Sequence, residues 1–158
     1  MRPPKAPPHL GPAEFSEAHP DALAVYCSDG RFTDSVEELL HSLGHPRLDT
    51  LTLPGGPALF ELTTADFSGL ETVRRAATFL IAAHGIKHVV LLAHEGCGYY
   101  RARSRGADPQ RVIARQVSDL RSASRWFRAA HAAVAVELFY ARVLGPRVQF
   151  ERIEPKAP

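Results

Sequence analysis

Two short stretches gather the groups that could do chemistry. Cys27-Ser28-Asp29-Gly30-Arg31 puts a thiol, a carboxylate and a guanidinium within five residues, and His94-Glu95-Gly96-Cys97-Gly98 puts an imidazole and a second thiol three apart. Sulfur and nitrogen donors in this mixture are what zinc accepts in a tetrahedron. Cys27, His94 and Cys97 would supply three ligands, and the occupant of the fourth position then decides the chemistry. Water there would have its pKa lowered towards neutrality and become a nucleophile, whereas Asp29 there, as a fourth metal ligand, would close the site. Asp29 and Arg31 are therefore the informative pair. An ion pair between them would hold the carboxylate off the metal, free to accept a hydrogen bond and orient the nucleophile. Cys27 and Cys97 are the only cysteines. A disulfide between them is the alternative, but the proline-rich start of the chain has no apolar secretory core, and reducing compartments favour metal or catalytic use of cysteine.

These groups need elements to position them. "ALAVYC" ends at Cys27 and "KHVVLLAH" ends at His94; both are apolar runs of the kind found in strands covered on both faces. In a parallel sheet, functional groups collect beyond the carboxyl ends of the strands, which would bring the two stretches to one edge. "TDSVEELLHSLG" reads as a helix capped by Thr33 or Asp34, with Val36, Leu39, Leu40 and Leu43 on one face and Gly44 as its stop. "LDTLTLP" reads as a short strand broken at Pro54-Gly55-Gly56-Pro57, a turn that exposes backbone N–H groups. Ser68 and Glu71 suggest a capping box for a helix ending at Gly85, packed through Val73, Ala76, Ala77 and Leu80. A further helix is expected from Asp108 and Pro109 past Leu120, with Val112, Val117 and Leu120 inward, and the chain closes as a hairpin around Gly145-Pro146. The fold class is α/β: a mainly parallel sheet flanked by helices with a C-terminal antiparallel hairpin. Residues 1–20 are expected as a proline-rich arm and 21–158 as a single zinc-binding domain.

Composition sets the outer bounds. With 158 residues, 45% of them hydrophobic and 23% charged, the chain is one ordinary globular domain. No apolar run approaches the ~20 residues of a membrane span, so no membrane partner is expected and the cytoplasm is the expected location. A net charge of +2 is too small to demand a polyanionic partner. Arginines crowd residues 101–128, but no aromatic residues interleave regularly for base stacking, and a solvated helix face is expected rather than nucleic-acid binding. His41, His45, His84 and His88 are read as surface residues, and Phe60, Tyr99 and Tyr100 as packing or contact residues.

Cys27-Ser28-Asp29-Gly30-Arg31 resembles the C-x-D-x-R motif of the β-class carbonic anhydrases, and His94-Glu95-Gly96-Cys97-Gly98 resembles their H-x-x-C-G motif, in the same order and with a similar separation. The resemblance spans roughly residues 18–153. It implies a zinc site of Cys27, His94 and Cys97, a catalytic Asp29–Arg31 dyad, and a homodimer with its sites near the subunit interface. The implied activity is hydration of carbon dioxide to bicarbonate, with the backbone N–H groups of Gly55, Gly56 and Gly98 as substrate-binding candidates. Four positions depart from the family: Leu53-Pro54-Gly55-Gly56 replaces an R-N-A-G type segment, Ala18 a glutamine, Gly30 a serine, and Tyr99-Tyr100 small residues. An altered pocket would also allow another small linear electrophile, carbonyl sulfide or carbon disulfide. A site closed by Asp29 would instead make a noncatalytic zinc-stabilised binding domain.

Overall fold

β1 (Ala22–Cys27) is buried at every position, and β3 (His88–His94) at every position after its first. A strand covered on both faces needs no alternation of polar residues, which is why both are apolar runs in the sequence. They lie side by side at the centre of a five-stranded sheet with the order β2 (Asp49–Leu53), β1, β3, β4 (Ala135–Leu144), β5 (Arg147–Arg152). The pairs β1–β2, β1–β3 and β3–β4 are parallel, while β4 and β5 form the expected antiparallel hairpin. The structure is a computed structural model, and it describes residues 6–62 and 66–155.

Side chains alternate across each strand, so the central strands feed two cores. Leu23, Val25, Val89, Leu91, Leu138 and Tyr140 point to one face, where Val73 and Ala77 of α2 (Phe67–His84) and Leu120, Ala123 and Phe127 of α4 (Pro109–Ala130) cover them. Ala24, Tyr26, Val90, Leu92, Phe139 and Ala141 point to the other, under Val36 and Leu40 of α1 (Thr33–Ser42) and under Phe32. The helices thus flank both faces, and the carboxyl ends of β1 and β3 open at one edge with α3 (Gly98–Arg103) beside them.

The helix starts differ from the sequence expectation. α1 begins at Thr33 with Phe32 in the cap position and no side-chain cap bond; the 4% exposed Phe32 ring anchors this end by packing instead. α2 is capped by Asp66, whose carboxylate accepts from the Gly69 N–H at 2.6 Å, so the helix starts ahead of the expected Ser68–Glu71 box. Asp66 lies two residues earlier and satisfies a free N–H of the first turn. α4 starts as expected, with Asp108 accepting from the Gln110 N–H and Pro109 in its first turn.

The Pro54–Pro57 segment is more than an exposed turn. Gly56–Phe60 forms a buried 3-10 turn tucked under the end of β1. Two histidine readings are also corrected. His45 is buried and faces Asp21 at 3.6 Å, and His84 is half-buried with its Nδ1 2.6 Å from Asp49. Residues 6–20 carry no helix or strand and are exposed almost throughout; residues 1–5 of the expected arm and 156–158 of the expected domain lie outside the described residues. Among the described residues no helix is long and apolar enough to cross a membrane.

Candidate metal centre

Register brings the two motifs together. Cys27 ends β1 opposite Leu53 of β2, and His94 ends β3 opposite Ala141 of β4, so both side chains emerge at the same sheet edge. Beyond His94 the chain is tied back to β4 twice: the Glu95 N–H donates to the Ala141 carbonyl, and the Val143 N–H donates to the Glu95 carboxylate at 3.0 Å. Gly96 turns the chain with φ 69° and delivers Cys97 to the start of α3. As a result one donor atom each of Cys27, His94 and Cys97 lies within 4.8 Å of the others, and all three residues are buried. Both cysteines are free, with their sulfurs 3.8 Å apart.

His94 keeps one ring nitrogen without a hydrogen-bond partner. Its Nδ1 lies 2.9 Å from the Glu95 carbonyl oxygen, and because a carbonyl only accepts, Nδ1 carries the proton. The lone pair is then on Nε2, which is buried and has no hydrogen-bond partner. A buried nitrogen left unpaired beside two sulfurs fits a metal ion, since an unpaired polar atom in the interior is costly. Phe32 packs its ring against the imidazole at 4.3 Å.

The two thiols share one hydrogen bond, in which either sulfur can donate. The hydrogen bond shared with Cys97, with help from the backbone N–H groups of Gly55 and Asp29, outweighs burial and draws the Cys27 thiol well below its ordinary range. The same shared bond, and burial, push Cys97 up. The Gly55 N–H reaches the Cys27 sulfur at 3.4 Å, so this glycine serves the ligand directly.

Asp29 stands outside the cluster of donors. Both of its carboxylate oxygens are held by Arg31, through Nε at 2.9 Å and Nη2 at 2.6 Å, and the Arg31 N–H adds a third contact at 3.2 Å. This planar two-point contact holds the Asp29 carboxyl at about 2. Because the folded value is depressed, the contribution to stability is present above the ordinary carboxylate range and is lost as the pH falls through about 2. Arg31 is largely exposed, which limits that contribution. Gly98 is exposed at the first turn of α3.

Three buried polar residues behind the centre were not singled out from the sequence, Gln116, Asp119 and Tyr140, and Tyr100, read there as a packing or contact residue, is buried beside them. The Tyr100 hydroxyl donates to Asp119 at 2.7 Å, and burial and that carboxylate push its pKa far up. A cavity of about 420 Å³ reaches Cys97 from the α3–α4 side, with Arg101, Val112, Ile113, Gln116 and Tyr140 in its wall. Of the arginine-rich segment, Arg115 pairs with Asp119, Arg128 donates to the Val136 carbonyl and Arg103 lies over the Tyr99 ring.

The backbone has the β-carbonic anhydrase fold. It superposes on the carbonic anhydrase of Streptococcus mutans with a TM-score of 0.58 at 14% identity, covering 91% of this chain and 88% of that one. The β-carbonic anhydrase CafA of Aspergillus fumigatus gives 0.55 at 16% identity, covering 89% and 78%. A tetrameric β-carbonic anhydrase of Sordaria macrospora gives 0.55 at 14%, covering 84% and 81%. No protein-family model and no curated protein matches the sequence.

Proposed function

We propose that this chain holds one zinc ion through Cys27, His94 and Cys97 and hydrates carbon dioxide reversibly to bicarbonate. The observation that carries the reading is the convergence of two sulfurs and one unpaired imidazole nitrogen at a strand edge, in a sheet with the β-carbonic anhydrase fold. The spacing suits the metal: two sulfurs on one tetrahedral zinc, each about 2.3 Å from it, stand roughly 3.8 Å apart, and the Cys27 and Cys97 sulfurs are 3.8 Å apart. Zinc bound there supplies Lewis acidity, which makes a water molecule nucleophilic near neutral pH.

The chain's own residues do the rest. Asp29, kept ionised and oriented by Arg31, accepts a hydrogen bond from the attacking water and turns its lone pair towards the carbon. Arg31 keeps the carboxylate from becoming a fourth ligand. The Gly55 N–H is engaged by Cys27 and steadies that sulfur, so we assign the developing anion to the exposed N–H end of α3 at Gly98, with Gly56 holding the loop against β1. The proton released in each turnover goes to a buffer base. We assign residues 21–158 to a single catalytic domain behind the 1–20 arm and expect a homodimer; β2 ends the sheet as an edge strand open to pairing, and the Sordaria neighbour is tetrameric.

Stopped-flow carbon dioxide hydration by zinc-loaded protein tests this from neutral to mildly alkaline pH. The expected rate rises with pH and is lost in Cys27→Ala, which removes a ligand, and in Arg31→Ala, which frees Asp29 to close the site. Full activity in Arg31→Ala would sink the assigned role of that residue. No hydration at any pH with zinc bound would overturn the carbon dioxide reading.

A further inference from the structure

Helix α4 places two polar side chains in the core where apolar ones would pack at less cost. Gln116 is 1% exposed and Asp119 is 2% exposed, one turn apart on the face that meets the sheet and α3. Burying an amide and a carboxylate is unfavourable unless each polar atom is bonded, so what they bond is informative. Gln116 Nε2 donates to the His94 carbonyl at 2.8 Å, and its Oε1 accepts from the Tyr140 hydroxyl at 2.9 Å. Asp119 Oδ2 accepts from the Tyr100 hydroxyl, and its Oδ1 accepts from Arg115 Nε at 3.0 Å.

These bonds have one geometric feature in common. His94 and Tyr100 are the two ends of the segment that carries Cys97, so α4 grips the segment at both ends. The Tyr140 hydroxyl fixes the amide of Gln116 with its nitrogen towards His94 and its oxygen away, and Arg115 offsets the buried charge of Asp119. The sheet itself holds Cys27 through the β1–β2 register, but no strand holds Cys97.

We infer that Gln116 and Asp119 are positioning residues for the metal centre: they clamp residues 94–100 so that His94 Nε2 and Cys97 Sγ stand opposite Cys27 Sγ before a metal ion arrives. The inference rests on the zinc reading proposed above. A centre assembled in advance does not spend binding energy on ordering its ligands, so the clamp acts on metal affinity and ligand geometry.

The test is zinc affinity by chelator competition, with the absorption spectrum of the cobalt(II)-loaded protein as a second readout. Gln116→Met keeps the length of the side chain and removes both bonds. Its zinc dissociation constant is expected to rise about 10–100-fold, with a shifted cobalt spectrum, while the metal-free variant retains its circular dichroism. Tyr140→Phe keeps the bond to His94 and is expected to weaken zinc less. If Gln116→Met does not fold, Tyr100→Phe removes one oxygen at the other end of the clamp and is expected to weaken zinc several-fold. A folded Gln116→Met, or Tyr100→Phe in its place, with wild-type zinc affinity and an unchanged cobalt spectrum would reduce these residues to core filling and overturn the inference. Wild-type protein that binds no zinc would overturn the metal reading and the clamp together, an outcome separate from equal binding by wild type and variant.

Discussion

Cys97→Ser is expected to lose tight zinc binding while keeping its fold. Serine is nearly isosteric with cysteine, and its oxygen can accept from the Tyr99 and Tyr100 N–H groups that face the sulfur at the start of α3. The hydroxyl does not ionise near neutral pH, so one of three protein ligands is removed. Zinc contributes about 10–16 kcal/mol in four-ligand structural sites, and roughly a quarter of that, about 2.5–4 kcal/mol, corresponds to a loss of about 70- to 900-fold in affinity. Chelator competition reads the effect directly. The thermal stabilisation that zinc gives the wild-type protein is expected to shrink as well, because a ligand that binds only the folded state stabilises it by an amount that grows with the logarithm of its affinity. Wild-type affinity in Cys97→Ser would remove this sulfur from the centre.

Gly56→Ala is the second large effect, and it falls on stability. Gly56 has φ 50°, and a β-carbon there would stand 2.6 Å from the carbonyl carbon of Tyr26 and 2.7 Å from the backbone nitrogen of Cys27. Those atoms are backbone at the end of a buried strand and cannot rotate aside. Left-handed backbone costs a residue with a β-carbon about 1–2 kcal/mol, and overpacking adds about 1–3 kcal/mol. At about 2–4 °C of melting temperature per kcal/mol for a domain of this size, the midpoint is expected to fall by roughly 5–15 °C. Gly30→Ala is the control, since a β-carbon at Gly30 meets nothing within 4 Å. Equal melting curves for the two variants would show that the loop is free to move away from β1. The displacement would also reach Cys27, so Gly56 links the stability of the loop to the position of a ligand.

The cluster of Cys27, His94 and Cys97, which could hold a metal ion, was legible in the sequence because its signals are local. Cys27 and His94 each end an uninterrupted apolar run, and Cys97 follows His94 at a fixed spacing. The mainly parallel sheet and the C-terminal hairpin followed from the same runs and their turns. What was missed depends on partners distant in the chain. His84 and His45 read as surface residues because Asp49 and Asp21 are remote from them in sequence and meet them only when the strands assemble. Gln116 and Asp119 lie in a helix rich in arginine, where a glutamine and an aspartate look like part of a solvated face. Only the packing of α4 over Tyr100, Tyr140 and the His94 carbonyl gives them buried partners. The α2 cap was misplaced for a different reason: Ser68 and Glu71 have the spacing of a capping box, but Asp66 precedes them and is the better placed acceptor.

The central claim is that Cys27, His94 and Cys97 bind zinc while Arg31 keeps Asp29 off it. Zinc K-edge absorption on the loaded wild-type protein at neutral pH tests it most directly. The expected shell is two sulfurs at about 2.3 Å and one imidazole nitrogen at about 2.0–2.1 Å, with one further light atom that remains when Asp29 is replaced by alanine. A shell with fewer than two sulfurs, or a light atom that disappears in Asp29→Ala, would contradict it.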